Sequence, residues 1–283
     1  MNYVNGKKII ITGATSGVGK ATAKELARQG AEIIIVARNP NKIKSLSSEI
    51  EKITGKSSAF YLADLSKMQE VKKAAEQIKA DYPAIDMLIN NAGLVMNKRE
   101  TTEDGFEYTL AVNHLAPFLL TNLLFTTLEA ANEAKIINVS SEAHKMGRDN
   151  LQDFNYENSK YKPMRVYGDT KLYNILFTNH LAVQLNTNNV NVYCLHPGFV
   201  NSNFGHNLGI AAEVILFFLR PFMISAEKGA RTSIDVANLP FGKKFKSVYF
   251  KSSKPKKTSS LANDKQLAEQ LWLKTKSLLE PWM

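Results

Sequence analysis

The strongest constraint on the fold is an alternation between short apolar runs and longer segments whose apolar residues recur at helical spacing. The alternation continues from residue 7 to residue 279. Successive residues in the short runs are apolar, which is typical of strands buried on both faces. Parallel strands need a long crossover connection, and each helical segment is long enough to supply one. The pattern indicates a parallel sheet covered by helices on both sides.

The element boundaries are predicted from the ends of the apolar runs and from glycine and proline signals. We predict strands over residues 7–11, 32–37, 58–62, 85–89, 135–139, 191–195 and 247–250. We predict helices over residues 18–29, 42–53, 67–79, 103–129 (with a kink allowed at Pro117), 164–185, 227–237 and 265–279. Because no linker-like stretch interrupts this series, residues 1–283 are expected to form a single domain. The predicted fold class is α/β: one doubly wound Rossmann-type domain with a mostly parallel, seven-stranded sheet and helices on both faces.

Composition limits the class of protein. With 44% hydrophobic and 22% charged residues, a chain of 283 residues can bury a sizeable core. The single cysteine, Cys194, excludes an intrachain disulfide framework and is interpreted as a core residue. The first residues lead directly into a strand, so we expect neither a signal peptide nor a membrane anchor there and predict a cytoplasmic location.

The net charge of +10 is concentrated near the end of the chain, so it does not predict a nucleic-acid partner. Seven lysines occur there without an intervening acid: Lys243, Lys244, Lys246, Lys251, Lys254, Lys256 and Lys257. We predict a solvated surface loop, and a site for anionic lipid or another polyanion is the alternative.

A glycine-rich turn joins the first predicted strand to the first predicted helix. Its candidate ligand contacts are Gly13, Thr15, Ser16, Gly17, Val18 and Gly19. Glycine lets the backbone approach a pyrophosphate closely, and a helix N-terminus offers unpaired N–H groups to it. We predict dinucleotide binding here, and a tight turn without a ligand is the alternative.

The end of the second predicted strand bears on the choice of cofactor. An acidic side chain there typically binds the ribose hydroxyls of NAD, whereas the 2′-phosphate of NADP needs a cation. The chain has Ala37 and then Arg38, whose guanidinium can pair with the phosphate and stack on the adenine. We expect NADP(H) to be favoured over NAD(H), and an exposed arginine without this role is the alternative.

Two further strand ends carry candidate ligand contacts, because ligands bind at the carboxyl ends of strands in this architecture. They are Asp64 and Leu65 after the third strand, and Asn91, Ala92 and Gly93 after the fourth. Taken alone, Asp64 is more typical of a helix cap, and the Asn-Asn-Ala-Gly segment is more typical of a turn.

Tyr167 and Lys171 are four residues apart on one face of a predicted helix. We expect the lysine charge to lower the pKa of the phenol from about 10 towards neutral pH, which makes it a competent acid or base. The pattern by itself is frequent by chance. Ser140 and Ser141 end the fifth strand with hydroxyls that can bind a substrate oxygen, and Asn113 can hold a water against the lysine.

Together these residues resemble the short-chain dehydrogenase/reductase family over nearly the whole chain. The matching set, in order and spacing, is Thr12 to Gly19, Asn90 to Gly93, Asn113, Ser141, Tyr167, Lys171 and His196 to Gly198. The resemblance favours a cofactor role for Asp64 and for the Asn-Asn-Ala-Gly segment. It also selects Ser141 over Ser140, because the family's catalytic serine is the second of such a pair.

The resemblance implies a mechanism and further contacts. Ser141 and Tyr167 bind the carbonyl oxygen, and Tyr167 transfers the proton. Lys171 holds the nicotinamide ribose and tunes the tyrosine, while Asn113 completes a proton relay. The implied cofactor contacts around the nicotinamide are Tyr167, Lys171, Pro197, Gly198, Val200 and Ser202, and Phe199 belongs to the same segment along the nicotinamide.

A closer likeness is to the retinol dehydrogenase and WW-domain oxidoreductase branch of the family. It is carried by residues 102–107, by residues 138–144, by the tail from Gly242 to Trp272 and by the 26-residue step from Ser141 to Tyr167. The branch implies a lipophilic aldehyde, ketone or alcohol as substrate. Substrate contacts are expected from a lid over about residues 201–224, whose apolar centre is too short to span a bilayer. An ordinary packed helix and a weak contact with a membrane surface are the alternatives.

Two function classes remain open on the sequence. One is an NADP(H)-dependent oxidoreductase, and the other is a dinucleotide-binding regulatory or scaffolding protein with little turnover. The intact Tyr167 and Lys171 pair favours the enzyme, because a pure binder needs no phenol and ammonium. His144, His196 and His206 lack a metal-ligand spacing, so no metal is predicted. The resemblance allows a homodimer or homotetramer.

Overall fold

The computed structural model describes residues 2–185, 187–200, 223–242 and 248–283. Within these residues the strands form one sheet in the order β3-β2-β1-β4-β5-β6-β7-β8. The strands are β1 Lys8–Thr12, β2 Glu32–Ala37, β3 Ala59–Leu62, β4 Met87–Asn90, β5 Ala134–Val139, β6 Val190–His196, β7 Tyr249–Lys251 and β8 Lys254–Pro255. Strands β1 to β7 pair in parallel, and the two-residue β8 turns back antiparallel to β7. The sheet therefore has one short strand more than the seven predicted.

The main helices cover both faces of this sheet. They are α1 Gly17–Arg28, α2 Pro40–Thr54, α3 Met68–Asp81, α4 Tyr108–Leu110, α5 Ala116–Leu123, α6 Phe125–Glu129, α7 Pro163–Gln184, α8 Ala226–Ala237 and α9 Lys265–Leu279. Helices α1, α2 and α8 pack over one face, and α3, α5, α7 and α9 pack over the other. The doubly wound arrangement that the sequence predicts is confirmed.

Strand β1 shows why uninterrupted apolar runs predict this architecture. Ile9 and Ile11 lie in one hydrophobic core and Ile10 lies in the other, and all three are fully buried. Successive side chains of a strand point to opposite faces, so a strand with a core on each side needs apolar residues throughout. Burying each isoleucine contributes roughly 1.5–3 kcal/mol.

The helix predicted over residues 103–129 is interrupted, and its predicted start is wrong. Residues 101–107 form a turn closed by a bridge between Thr101 and Glu107, with Gly105 in the left-handed region at φ 85°. The Glu107 carboxylate then caps α4 by accepting the N–H groups of Thr109 and Leu110. The helix therefore begins at residue 108 rather than 103.

A π-helical turn over Ala111–Leu115 lies between α4 and α5. Pro117 has no N–H to donate to the carbonyl of Asn113, four residues earlier, which disfavours regular α-helical bonding at this point. The sequence allows a kink at this proline, and the structure places the irregular turn immediately before it. Such turns occur frequently at functional sites, and this one contains Asn113.

Candidate active site

One cleft of about 980 Å³ opens at the carboxyl edge of the sheet, where strands β1 to β7 end. In a doubly wound fold this edge is where ligands bind. The predicted cofactor contacts within the described residues all line it: Gly13, Thr15, Ser16, Gly17, Val18, Gly19, Arg38, Asp64, Leu65, Asn91, Ala92, Gly93, Tyr167, Lys171, Pro197, Gly198 and Val200. Ser141 lines it as well, whereas Asn113 does not. Ser202 lies outside the described residues.

The glycine turn after β1 leaves room for a ligand against backbone. A Cβ atom at Gly19 would overlap the carbonyl oxygen of Gly13 and the side-chain nitrogen of Asn91. Gly13 itself has φ +64°, a conformation that side chains rarely adopt. Ser16, which precedes α1, makes no side-chain cap, so the first-turn N–H groups of α1 are left for another acceptor. This cradle fits a pyrophosphate at a helix N-terminus.

Asn91 and Ala92 hold this turn against the end of β4. The Asn91 side chain donates to the carbonyl of Thr12 at 2.9 Å, and the backbone N–H groups of Asn91 and Ala92 donate to the Thr12 hydroxyl at 3.0 and 3.1 Å. The two residues thus line the cleft and also fix the shape of the glycine turn.

Arg38 lies at the end of β2, on the open side of the cleft. Its guanidinium is 3.5 Å from the Asp64 carboxylate and 3.3 Å from the Tyr108 hydroxyl, and its side chain is 63% exposed. Burial tends to raise the pKa of Asp64, but hydrogen bonds from Ser66 and the charge of Arg38 outweigh it and hold that pKa below its ordinary value. Asp64 therefore carries a negative charge beside Arg38. It accepts hydrogen bonds from the N–H and the hydroxyl of Ser66 but does not cap α3, whose N-terminal cap position is Lys67.

Sequence reasoning missed two polar residues beside Arg38. Asn39 and Lys42 line the same end of the cleft. The Asn39 side chain caps α2 by accepting the N–H of Lys42 at 3.0 Å, and Pro40 at the first helical position is typical of such a start. An Asn-Pro pair followed by lysine was the available signal.

Ser141, Tyr167 and Lys171 meet where β5 ends against α7. The Tyr167 hydroxyl is hydrogen-bonded to Ser141, and the Lys171 ammonium lies 5.5 Å from the Tyr167 ring centre. Lys171 donates to the carbonyl of Val139 at 2.9 Å. The Ser140 hydroxyl instead donates to the backbone carbonyl of Lys171 at 2.7 Å, so it joins the strand end to the helix.

The pKa of Tyr167 differs from the sequence-based expectation. Burial raises it to about 12, and the hydrogen bond from Ser141 lowers it only in part. Burial also lowers the pKa of Lys171 to about 8, because a buried ammonium is disfavoured. In the protein alone, burial dominates the pKa of each group and Lys171 is not among the groups that shift the pKa of Tyr167, so the expected lowering of the phenol pKa by the lysine is wrong for this state.

Asn113 does not line the cleft, whereas Ser141, Tyr167 and Lys171 do. Its side-chain oxygen accepts the N–H of Leu94 at 2.9 Å, and its amide nitrogen donates to the Leu94 carbonyl at 2.9 Å and to the Thr170 hydroxyl at 3.1 Å. A Cβ at Gly93 would lie 3.1 Å from the Lys171 nitrogen and 3.4 Å from the Asn113 side-chain oxygen. Gly93 thus keeps the space between the two residues open.

The loop after β6 completes the described part of the cleft. Gly198 has φ +106°, and a Cβ there would lie 2.5 Å from the end of the Ile224 side chain. Met223 lines the cleft, but the rest of the expected substrate segment, residues 201–222, lies outside the described residues. The lid prediction for residues 201–224 is untested for that part.

The end of the cleft beyond Ser141 is lined by residues of which the sequence assigned only Phe199, as part of the segment along the nicotinamide. Apolar side chains of Met146, Met164 and Phe199 are 45%, 42% and 50% exposed. Glu142 and Lys251 lie at the same end. In the sequence, this part of the site was signalled by the position of Glu142 next to Ser141 and by Phe199 in the segment after the sixth strand.

The histidines and the cysteine have structural surroundings. His114 is fully buried, burial lowers its pKa to about 3, and one ring nitrogen contacts Thr275 at 3.1 Å. Cys194 is buried, and burial raises its pKa to about 12, so the thiol stays protonated and unreactive. Among the described residues no group of histidine, cysteine or acidic side chains is arranged to hold a metal ion. His206 lies outside them.

No described helix is both long enough and apolar enough to cross a bilayer.

Comparison with known proteins places this geometry among dehydrogenases. The family model described as short chain dehydrogenase matches residues 7–212. Retinol dehydrogenase 12 of Mus musculus is 38% identical, covering 95% of this chain and 85% of that protein. Retinol dehydrogenase 13 of Homo sapiens is 35% identical, covering 98% and 85%.

Solved structures agree with the fold. An uncharacterized protein from Mycobacterium Paratuberculosis is 30% identical, with a TM-score of 0.78 over 98% of this chain and 94% of that one. L-sorbose reductase from Gluconobacter frateurii, solved with NADPH and L-sorbose, is 22% identical, with a TM-score of 0.67 over 84% and 92%. The second likeness concerns the fold alone.

Proposed function

The chain belongs to the short-chain dehydrogenase family, as a retinol dehydrogenase-like oxidoreductase, and on that premise we propose that it is NADP(H)-dependent and acts on a lipophilic carbonyl or alcohol. Hydride moves between the nicotinamide and the carbonyl or alcohol carbon. The observation that carries the proposal is the meeting of Ser141, Tyr167 and Lys171 on a cleft that also contains the glycine turn. A dinucleotide-binding protein without turnover has no use for these three groups together.

The proposed chemistry assigns each of these side chains a task. When bound, the nicotinamide supplies the hydride that the carbonyl carbon accepts. The hydroxyls of Ser141 and Tyr167 bind the carbonyl oxygen, and Tyr167 gives it the proton, so that an aldehyde, a hydride and a proton together give an alcohol. A protonated Lys171 favours the phenolate left on Tyr167, which offsets the effect of burial on the phenol pKa.

Asn113 takes part in the proposed relay through its backbone. Its amide is already engaged by Leu94 and Thr170, so the side chain has little capacity left to bind a water. The backbone carbonyl lacks the usual α-helical donor because residue 117 is proline. We propose that the backbone carbonyl of Asn113 binds a water molecule and that this water returns protons to Lys171.

The preference for NADP(H) rests on the cations at the open end of the cleft. Arg38 and Lys42 both line that end, beside the Asn39 cap of α2. A phosphate monoester accepts charge-assisted hydrogen bonds from such groups. The ion pair between Arg38 and Asp64 is long, at 3.5 Å, so a phosphate can replace Asp64 as the partner of the guanidinium.

The lipophilic substrate is supported by Met146, Met164 and Phe199 at the mouth and by the names of the relatives. Cytoplasmic location, weak contact with a membrane surface, the absence of a nucleic-acid partner and assembly into dimers or tetramers stay predictions from the sequence.

The test is to follow NADPH and NADH consumption by nicotinamide absorbance with short aldehydes, long-chain aldehydes, retinaldehyde and steroid ketones. NADPH-dependent turnover that disappears in Tyr167→Phe supports the proposal. Tight NADPH binding without turnover of any of these substrates would favour the regulatory protein instead.

A further inference from the structure

An ion-pair cluster lies at the substrate end of the cleft, directly beside Ser141. The Glu142 carboxylate accepts hydrogen bonds from the ammonium of Lys251 at 3.0 Å, from the ammonium of Lys145 at 2.7 Å and from the hydroxyl of Tyr249 at 3.1 Å. Glu142 and Lys251 both line the cleft. The cluster joins the end of β5 to β7 across β6.

The cluster has more positive than negative charge. Burial tends to raise the pKa of Glu142, but its hydrogen bonds from Lys145, Lys251 and Tyr249 outweigh burial and lower the pKa to about 2. The neighbouring His196 is neutral near pH 7, because burial lowers its pKa to about 4. One carboxylate therefore faces two ammonium groups, and the balance is one positive charge.

The described acids of the cleft wall cannot supply a second anion. They are Glu142 and Asp64, and Asp64 lies at the opposite end with Arg38. An ammonium has three N–H donors, and Glu142 is the one acceptor that the described residues provide to Lys251. Lys251 is also 42% exposed. It keeps donors and space for an incoming anion.

The surroundings suit an amphiphile rather than a small polar ion. Met146, Met164 and Phe199 line the same cleft and are partly exposed. Strand β7 lies two strands away from β5, and neighbouring strands are about 4.8 Å apart, so the chain positions of Lys251 and Ser141 differ by roughly 10 Å. A substrate with a carbonyl at Ser141 and an apolar middle can reach Lys251 with its other end.

We propose that the Glu142 and Lys251 end of the cleft binds a carboxylate, and that the substrate is an oxo acid whose carbonyl and carboxylate are separated by an apolar chain. The inference rests on the proposed function and narrows its substrate class. In the reduction, hydride adds to the aldehyde carbon and a proton to its oxygen, while the distant carboxylate stays unchanged and paired with Lys251.

The experiment compares octanal with 8-oxooctanoate, which share chain length and reacting group, in NADPH-dependent reduction. In the unaltered protein kcat/KM for the acid is expected to exceed that for octanal by about tenfold, the effect of one partly exposed charged hydrogen bond. Lys251→Met is expected to bring the ratio near one, and Lys251→Arg to preserve it. Lys254→Met is the matched control, because Lys254 is exposed on the same hairpin and does not line the cleft.

The Glu142→Gln variant distinguishes a carboxylate-binding site from an ion pair whose role is purely structural. Removing the resident anion frees Lys251, the lysine of the cluster that lines the cleft, for the substrate, so the ratio of kcat/KM for the acid to that for octanal is expected to rise. If the cluster only holds the loop, Glu142→Gln and Lys251→Met lower kcat/KM for both substrates by the same factor, and the proposal is overturned. Melting temperatures of the variants show which of them are folded.

Failure of the proposed function gives a different result. Turnover of octanal without preference for 8-oxooctanoate overturns the carboxylate site and leaves the oxidoreductase standing. Absence of turnover with both contradicts the oxidoreductase, and calorimetric titration of 8-oxooctanoate with NADP⁺ present then tests the site directly. Binding weakened about tenfold by Lys251→Met supports the site, and unchanged binding overturns it.

Discussion

The two ends of the cleft are held together by different means. At the cofactor end, the glycine turn after β1 is fixed by close backbone contacts and by the hydrogen bonds of Thr12 with Asn91 and Ala92. At the substrate end, the loop after β5 is tied down by the charged side chains of Glu142 and Lys251. The shape of the cofactor end therefore depends mainly on backbone conformation, and the shape of the substrate end depends on the identity of the charged side chains.

The two ends of the cleft differ in how readily their binding specificity can change. A turn that leaves no space for a Cβ atom tolerates few substitutions, so its shape suits a ligand that does not vary. An ion pair between distant strands can be replaced without moving the backbone. We therefore expect cofactor binding and substrate selection to respond separately to mutation, and Tyr167 to be the point at which the two ends act together.

The largest expected effect comes from Tyr167→Phe, which removes the shared proton donor. The rate constant kcat should fall by about a thousandfold, since general acid catalysis contributes roughly 10²–10⁴. The dissociation constant of NADPH, measured by fluorescence titration, should change little because the ring stays in place. Turnover that persists in this variant would remove Tyr167 from the mechanism.

Gly19→Ala should weaken cofactor binding without affecting the substrate end of the cleft. The new Cβ meets the Gly13 carbonyl and Asn91, so the turn has to shift, and a shift costing about 1–3 kcal/mol weakens NADPH binding by roughly ten- to a hundredfold. Gly55→Ala is the control, because Gly55 has φ +74°, which strains an alanine there, but has open space around its Cβ and does not line the cleft. The control should lower stability without weakening NADPH binding, and equal loss of binding in both variants would contradict the cradle.

Arg38→Asp should reverse the cofactor preference and leave the substrate end intact. Loss of a charged hydrogen bond to the 2′-phosphate, worth about 1.5–3 kcal/mol, corresponds to roughly ten- to a hundredfold in the ratio of kcat/KM for NADPH over NADH. Arg28→Asp, at the exposed end of α1, is the charge-matched control. An unchanged ratio in Arg38→Asp would show that Arg38 does not contact the phosphate.

A smaller, graded effect is expected from pH. Burial lowers the pKa of Lys171 to about 8, so the ammonium that favours the Tyr167 phenolate is lost as pH rises above that value. The kcat/KM for aldehyde reduction should therefore decrease above about pH 8. A profile that stays flat up to the ordinary pKa of lysine would separate Lys171 from proton transfer.

Stability should respond to the same group with the opposite sign. The pKa of Lys171 is lower in the folded than in the unfolded chain, so the unfolded chain binds more protons between the two values. The contribution to the free energy of unfolding is fully present above the unfolded value near 10.5 and is lost as pH falls through about 8. Urea unfolding of the protein and of Lys171→Met across this window would reveal the difference.

Prediction from the sequence succeeded where neighbouring residues carry the information. The strands β1 and β2 and the glycine turn were located because apolar runs and glycine spacing record local backbone requirements. The predicted helix start at residue 103 was wrong because the Glu107 side chain caps α4 by accepting the N–H groups of Thr109 and Leu110. The apolar periodicity of a sequence does not show such a cap. The eighth strand was missed because two residues are too few to form a pattern.

The sequence alone determined the doubly wound fold and the family, since the order and spacing of Gly13, Ser141, Tyr167 and Lys171 are properties of the chain itself. Three features could not be read from the sequence and depend on the packing: burial raises the pKa of Tyr167, the Asn113 amide is engaged, and Glu142 contacts Lys251, 109 residues later. The physical reason is that desolvation and ion pairing depend on which groups surround a side chain in space. Those neighbours come from distant strands and helices, whose packing no local pattern records.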